Sequence, residues 1–226
     1  MLFLHQAWTI AMKDLRSEFR TKESINASLS FSVVILLLFS FAFDPGAETT
    51  REIAGGLLWL VFAFAGALVL NRGFARELQN DCLEALVSSP ISGAALFLGK
   101  TLASFVLLVS IEAFCMPVFG IFYNVRWWLQ LPQMIVVLLL ATWGMTVLGT
   151  MFSALTVNLR LRELMLPMLL YPMLIPALMA AMKLSTTLIA GTPLGDDDFT
   201  WLKMLIGFDI IFSSLALALV EIVLVR

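Results

Sequence analysis

The sequence predicts an all-α integral membrane protein with six transmembrane helices. Of its 226 residues, 61% are hydrophobic and only 13% are charged, whereas soluble domains contain about 25% charged residues. The apolar residues form long runs, and about 20 such residues make a helix that crosses the hydrocarbon core. Helices satisfy their backbone hydrogen bonds internally, as the lipid interior requires. We therefore interpret residues 1–226 as a single transmembrane domain.

The chain begins with an amphipathic segment over residues 1–24. Trp8, Met12, Leu15 and Phe19 recur every three or four residues, which places them on one helical face, and the basic residues lie off this stripe. Such a helix lies in the headgroup plane of a membrane or packs on the end of a helix bundle. The sequence is compatible with both interpretations, and we predict an interfacial helix.

Six apolar runs follow and predict the spanning helices. They cover residues 28–43, 53–70, 101–123, 131–155, 164–182 and 201–225. The fifth run contains Pro167, Pro172 and Pro176, and each proline removes a backbone hydrogen bond from a helix. We therefore predict that the fifth helix is kinked or broken.

The basic residues beside these runs predict the orientation of the chain. With the N-terminus inside, ten of the 14 Lys and Arg residues fall on the inner side. Both termini and the polar segment 72–100 are then cytoplasmic. Residues 183–200, which include Asp196, Asp197 and Asp198, form an acidic loop on the outer, periplasmic side. We interpret the three aspartates as a solvated loop, with a cation site as the alternative.

Two acidic residues, Glu112 and Asp209, lie deep inside apolar runs. A charge at the bilayer centre costs at least about 2.5–3.5 kcal/mol on insertion scales, so these side chains are candidates for function. They serve either a polar substrate path or proton-sensitive pair, or hydrogen bonds between helices, and the sequence favours neither. Trp127 and Trp128 indicate an aromatic belt at the membrane surface more strongly than a tryptophan-rich haem-handling segment.

The sequence contains no recognisable catalytic, metal or nucleotide motif. His5 is the sole histidine, and the chain lacks HxxxH, CxxC, GxSxG and the phosphate-binding GxxxxGK[ST] pattern. The net charge of −2 gives no basic patch for nucleic acid. Cys82 and Cys115 are interpreted as free thiols. We therefore predict a non-enzymatic membrane subunit with no directly bound cofactor, for which any ATP hydrolysis comes from a separate protein.

The segment from Ala75 to Lys100 interrupts the apolar pattern. Its apolar residues follow helical spacing, and Pro90 ends that pattern because the residue before a proline is disfavoured in a helix. Links between helices commonly have about 2–8 residues. The sequence therefore predicts a short cytoplasmic helix between spans two and three that docks another protein, with a solvated connector as the alternative.

The residues "RELQNDCLEALVSSPIS…LGK" resemble the coupling segment of type-2 ABC exporter membrane subunits. The resemblance is carried by Glu77, Leu83, Glu84, Leu86, Pro90 and Lys100. Over essentially the whole chain, the sequence also resembles the B-subunit family of the cytochrome c maturation (haem exporter) ABC transporter. That resemblance implies a multi-pass protein of the bacterial inner membrane. It also implies that an ATP-binding subunit docks on Arg76, Glu77, Asp81, Leu83, Glu84, Leu86 and Pro90.

The same resemblance implies the remaining partners and the function. The partners are a second copy of the chain, the haem-handling C subunit, the small D subunit, the periplasmic haem chaperone and membrane lipid. ATP hydrolysis in the partner subunit would drive release of haem-loaded chaperone, so that haem is present in the complex. Two alternatives stay open, a permease that exports haem, a lipid or another amphiphile, and a passive assembly scaffold.

Overall fold

The computed structural model describes residues 2–44, 47–74, 92–125, 127–156, 159 and 161–224, and this part of the chain is all-helical. The helices are α1 (Leu2–Thr21), α2 (Glu23–Ala42), α3 (Glu48–Asn71), α4 (Gly93–Tyr123), α5 (Leu131–Thr156), α6 (Arg162–Ile189) and α7 (Asp196–Leu224). A short 3-10 helix, Trp127–Gln130, precedes α5. Helices α2 to α7 are long and apolar enough to span a membrane, which confirms the predicted number of spans.

The spanning helices extend beyond the apolar runs that predicted them. Helix α2 begins at Glu23 instead of residue 28, and α4 begins at Gly93 instead of residue 101. The hydroxyl of Ser92 accepts a hydrogen bond from the amide of Ala95 at 3.2 Å and caps α4. Residues 93–100 are therefore the first turns of α4. Apolar content marks the part of a helix that suits lipid, whereas capping groups set where the helix ends.

The acidic loop predicted over residues 183–200 is mostly helical, so that prediction is wrong at both ends. Helix α6 continues to Ile189, and Asp196, Asp197 and Asp198 form the first turn of α7. Asp198 Oδ2 accepts a hydrogen bond from the Gly195 amide at 3.0 Å. Acidic side chains are stabilised at a helix N-terminus by its partial positive charge. The aspartates therefore begin a helix, and residues 190–195 form the connection.

Helix α6 runs without a break through all three of its prolines. The break that Pro167, Pro172 and Pro176 predicted does not occur between Arg162 and Ile189. Transmembrane helices tolerate proline because neighbouring helices and local adjustments satisfy the freed backbone groups. Helix α6 packs on α3, α5 and α7, which are such neighbours.

Helices α3 and α5 form the centre of the bundle. Helix α3 packs mainly on α2 and α6, and α5 packs mainly on α4, α6 and α7. Small residues permit close approach, since a Cβ atom at Gly66 would lie 2.9 Å from the Met145 side chain. The indole of Trp59 donates a hydrogen bond of 2.9 Å to the Ser185 hydroxyl and links α3 to α6.

The bundle has two ends, which we name by the residues found there. The Lys100 end contains the start of α2, the end of α3 and the start of α4, and α1 lies there. The Trp127 end contains the end of α4 and the 3-10 helix. At that end the Gln133 side chain accepts a hydrogen bond from the Leu194 amide at 3.2 Å.

Candidate functional site

Lys100 holds together the two ends of the polar segment between spans two and three. Its side chain is 3% exposed, and its ammonium nitrogen lies 3.1 Å from Asp14 Oδ2. The same nitrogen donates a hydrogen bond of 2.7 Å to the carbonyl of Gly73 and lies 5.0 Å from the ring centroid of Phe74. A buried ammonium needs such partners because its desolvation is costly. We call Asp14, Gly73, Phe74 and Lys100 the Lys100 anchor.

The anchor also joins α1 to α4. A Cβ atom at Gly99 would lie 2.7 Å from the carbonyl oxygen of Ala7 and 2.8 Å from Cβ of Ile10. Only a residue without a side chain permits this approach, so Gly99 sets the distance between the two helices. Ala7, Ile10 and Ala11 are buried in this contact.

A second acidic residue of α1, Glu18, fixes the start of α2. Its carboxylate accepts hydrogen bonds from the Ser24 amide at 2.7 Å, the Ser24 hydroxyl at 3.0 Å and the Ile25 amide at 3.2 Å. The two amides are backbone groups that the first turn of a helix leaves without intrahelical partners. Glu23 also forms an ion pair with Arg72 at 3.0 Å, but Glu23 is exposed and Arg72 is partly exposed, so this pair stabilises little.

The apolar stripe predicted for α1 faces the bundle only in part, since Leu15 packs against the core and Met12 is half-buried. Trp8 is 61% exposed and Phe19 is 52% exposed, whereas Ala7, Ile10 and Glu18 are buried. Helix α1 therefore packs on α4 through Ala7, Ile10 and the Asp14 carboxylate, and it bonds the start of α2 through the Glu18 carboxylate. Trp8 and Phe19 lie on the outside of the bundle, and their contact with a membrane surface stays a prediction.

Glu112 is buried in α4 and is held by one hydrogen bond. The Thr142 hydroxyl of α5 donates to Glu112 Oε1 at 2.6 Å. Within the described residues, Oε2 is buried and has no hydrogen-bond partner. The carboxyl group therefore links two spans and retains one acceptor for another group.

Asp209 is buried in α7 against another part of α5. A Cβ atom at Gly144 would lie 2.5 Å from Asp209 Oδ1, so glycine makes room for the carboxyl group. Neither carboxyl oxygen has a hydrogen-bond partner among the residues described. Thr142 and Gly144 are two positions apart on α5, and such positions point to different sides of a helix. Helix α5 therefore separates Glu112 from Asp209.

Comparison with known proteins assigns the chain to a family. The family model of the CcmB protein matches residues 5–221. The chain belongs to the CcmB family. Heme exporter protein B of Rhodobacter capsulatus is 32% identical over 170 residues, which cover 74% of this chain and 76% of that protein. Heme exporter protein B of Pseudomonas aeruginosa is 26% identical over 206 residues, which cover 91% of this chain and 92% of that protein.

The residues predicted to contact an ATP-binding subunit lie outside the described part of this CcmB family chain. They are Arg76, Glu77, Asp81, Leu83, Glu84, Leu86 and Pro90. The structure describes the residues on either side. Phe74 is buried just before the segment, and Ser92 caps α4 just after it. Both flanks are thus fixed to the bundle of the CcmB chain.

Sequence reasoning missed the structural roles of Asp14 and Glu18 in this CcmB chain. Neither residue was given a role from the sequence, which placed only the basic residues of this helix off its apolar stripe. Their signal was present as a face of small residues and acids, because Ala7, Ala11, Asp14 and Glu18 are spaced by three or four positions. The prediction of an interfacial helix relied on the stripe of large apolar residues, although small residues allow helices to pack closely.

Proposed function

We propose that this chain is the membrane subunit of an ABC complex that acts on haem in c-type cytochrome biogenesis. Membership of the CcmB family carries the proposal, and the relatives in that family are named heme exporter protein B. Six candidate spans support a membrane subunit. The sequence lacks a phosphate-binding motif, so the chain relies on a separate ATP-binding subunit for hydrolysis.

In this proposal, the conformational change that ATP hydrolysis drives in the partner subunit is transmitted to the chain through residues 76–90. Closure of the ATP-binding subunits displaces this segment, and its flanks pass the displacement on. The Lys100 anchor supports that route, because the Gly73 carbonyl and Asp14 contact one ammonium group. Movement of the segment is thereby coupled to α1 and α4 together. The bundle then transmits it to the Trp127 end, where it drives release of haem-loaded chaperone.

The arrangement of the complex follows from the same proposal. The Lys100 end faces the cytoplasm of a bacterial inner membrane, and α1 lies at the membrane surface with Trp8 and Phe19 toward lipid. Two copies pair, since six spans make half of the twelve that are usual in ABC exporters. The C subunit, the D subunit and the chaperone associate with this pair, and residues 196–198 are a candidate chaperone contact.

Affinity purification from native membranes tests the proposed partners. We expect mass spectrometry to identify an ATP-binding protein and the haem-handling subunits with the chain. Glu84→Lys should lower the recovered ATP-binding protein by about tenfold or more, because reversing a charge at an interface costs several kcal/mol. Charge reversal at Asp196 and Asp197, which are exposed, should reduce chaperone recovery alone. Recovery of a transporter complex without haem-handling proteins would contradict the proposal.

The buried carboxyl groups favour a permease as the second candidate. Glu112 and Asp209 retain oxygens without protein partners in the described residues, and because α5 separates them, each would line a polar path on its own side of that helix. Glu112→Gln in the assembled complex separates the roles. A purely structural Glu112 keeps assembly and activity after this change, whereas a path residue loses activity with assembly intact. The scaffold alternative predicts that neither Glu112 nor Glu84 affects ATP turnover.

A further inference from the structure

A cavity of about 240 Å³ lies between α4 and α5 near the Trp127 end. Its lining is hydrocarbon apart from Glu112 and the indole of Trp127, and the apolar residues include Met116, Met134 and Leu138. Ile135 and Leu139 also line it and are partly exposed on the outside of the bundle. The cavity therefore opens sideways, toward the surface that faces lipid in a spanning bundle.

Two hydrogen-bond acceptors in the cavity wall, Glu112 Oε2 and the carbonyl of Ala113, lack the donor that they would usually have. Glu112 is 3% exposed, and its Oε2 has no partner in the described residues. Pro117 lies inside α4 and has no amide hydrogen, so it cannot donate the helical bond to the carbonyl of Ala113. Ala113 lines the same cavity. A buried acceptor without a partner, such as Glu112 Oε2, costs about 1–3 kcal/mol, so a bound donor would be stabilised here.

We propose that this cavity binds a single-chain amphiphile from the bilayer whose polar group donates a hydrogen bond to Glu112. A long-chain alcohol is the simplest molecule of this class. The apolar chain lies along Met134 and Leu138, and the hydroxyl donates to Glu112 Oε2. The site goes beyond the proposed function and does not depend on it.

The size and lining of the cavity favour a slender ligand. Pockets for drug-sized ligands measure about 300–1,000 Å³, so a cavity of 240 Å³ suits one chain instead of a large ring system. Packed transmembrane helices meet through small residues, whereas this lining is mostly Leu, Ile, Val and Met. The flexible side chains of Met116 and Met134 adapt to a mobile chain.

The depth of Glu112 defines the polar group. Glu112 precedes the end of α4 at Tyr123 by 11 residues, which corresponds to about 16 Å along the helix. A charged phosphate at this depth would pay a large desolvation cost. A neutral hydroxyl has a far smaller desolvation cost and can form the hydrogen bond that Glu112 Oε2 lacks. The site therefore selects a weakly polar amphiphile.

Photolabelling of the full chain in lipid nanodiscs tests the site. The probe is hexadecan-1-ol with a diazirine in its chain, and the control probe is the matching hexadecane without the hydroxyl. We expect the alcohol to label peptides that contain Met116, Met134 or Leu138, about fivefold more than the alkane, as one hydrogen bond predicts. Glu112→Leu should remove this preference, whereas Asp209→Leu, which removes a buried carboxyl outside the cavity lining, should keep it.

Leu138→Trp fills the cavity, retains Glu112 and should abolish labelling by both probes. If thermal unfolding shows that Glu112→Leu does not fold, the proposal is tested by the labelling of Leu138→Trp. Equal labelling by both probes, or labelling that Leu138→Trp leaves unchanged, would overturn the proposal. Labelling of the isolated chain that disappears in the complex purified with its partners would identify a partner's helix as the occupant, and would also overturn it.

Discussion

Replacement of Lys100 by methionine removes the charge at the centre of the anchor and keeps an apolar stem of similar length. The Asp14 carboxylate loses a contact of 3.1 Å, and the Gly73 carbonyl loses a donor at 2.7 Å. Breaking a buried pair costs about 3–5 kcal/mol. Asp14 is partly exposed and retains Lys13 at 3.1 Å, which reduces the loss. We therefore expect destabilisation of about 2–3 kcal/mol.

Thermal unfolding in nanodiscs measures this effect. For a chain of this length, 1 kcal/mol shifts Tm by about 2–4 °C, so Lys100→Met should lower Tm by about 5–10 °C. Lys203→Met is the matched control, because Lys203 is exposed on α7, and it should change stability by less than about 0.5 kcal/mol.

A double-mutant cycle isolates the contact between Lys100 and Asp14. Asp14→Leu alone should also destabilise, since it leaves Lys100 buried with the Gly73 carbonyl. The two changes together should cost less than the sum of the single changes, with a coupling energy of about 1–3 kcal/mol. This reasoning would be refuted if the Lys100→Met and Lys203→Met proteins had the same Tm. It would also be refuted if the double variant lost as much stability as the two single variants lose in sum.

Two further predictions concern the packing of α1 and the start of α2. Gly99→Leu should destabilise the chain by about 2–3 kcal/mol and expose α1 to limited proteolysis, because the side chain would overlap Ala7, whereas Gly56→Leu extends into open space and should be neutral. Protease digestion that does not distinguish the two variants would count against the docking of α1. Glu18→Ala should cost about 1–2 kcal/mol in thermal unfolding because α2 loses its cap, whereas Glu23→Gln should cost less than about 1 kcal/mol. Equal losses in these two variants would contradict the capping role.

The number and order of the spans were predictable from the sequence, because apolar runs of spanning length have one economical structure in lipid. The helix ends were not predictable, because they depend on contacts between polar residues in different parts of the chain. Glu18 caps α2 from the preceding helix, and Asp198 bonds the Gly195 amide at the start of α7. Composition does not reveal such pairings.

The candidate sites were predictable only as residue types. An acid at position 112 inside an apolar run indicates a functional or bridging carboxyl group. Its bond to Thr142, and the separation from Asp209 by α5, depend on how the helices pack. The anchor was harder to predict, because Lys100 matched a family pattern whereas its partners Asp14 and Gly73 lie in distant parts of the sequence.

ATP turnover by the assembled complex tests the central claim most directly. Glu84 lies in the proposed coupling segment, and we replace it by lysine. Glu52→Lys is the control, because Glu52 is an exposed residue of α3 away from the Lys100 end. With equal amounts of ATP-binding subunit present, Glu84→Lys should lower turnover by about fivefold or more, as expected when repulsion replaces a charge contact. Glu52→Lys should leave turnover unchanged. Equal turnover in the unaltered complex and in the Glu84→Lys complex would contradict the claim that ATP hydrolysis is coupled to the membrane through residues 76–90.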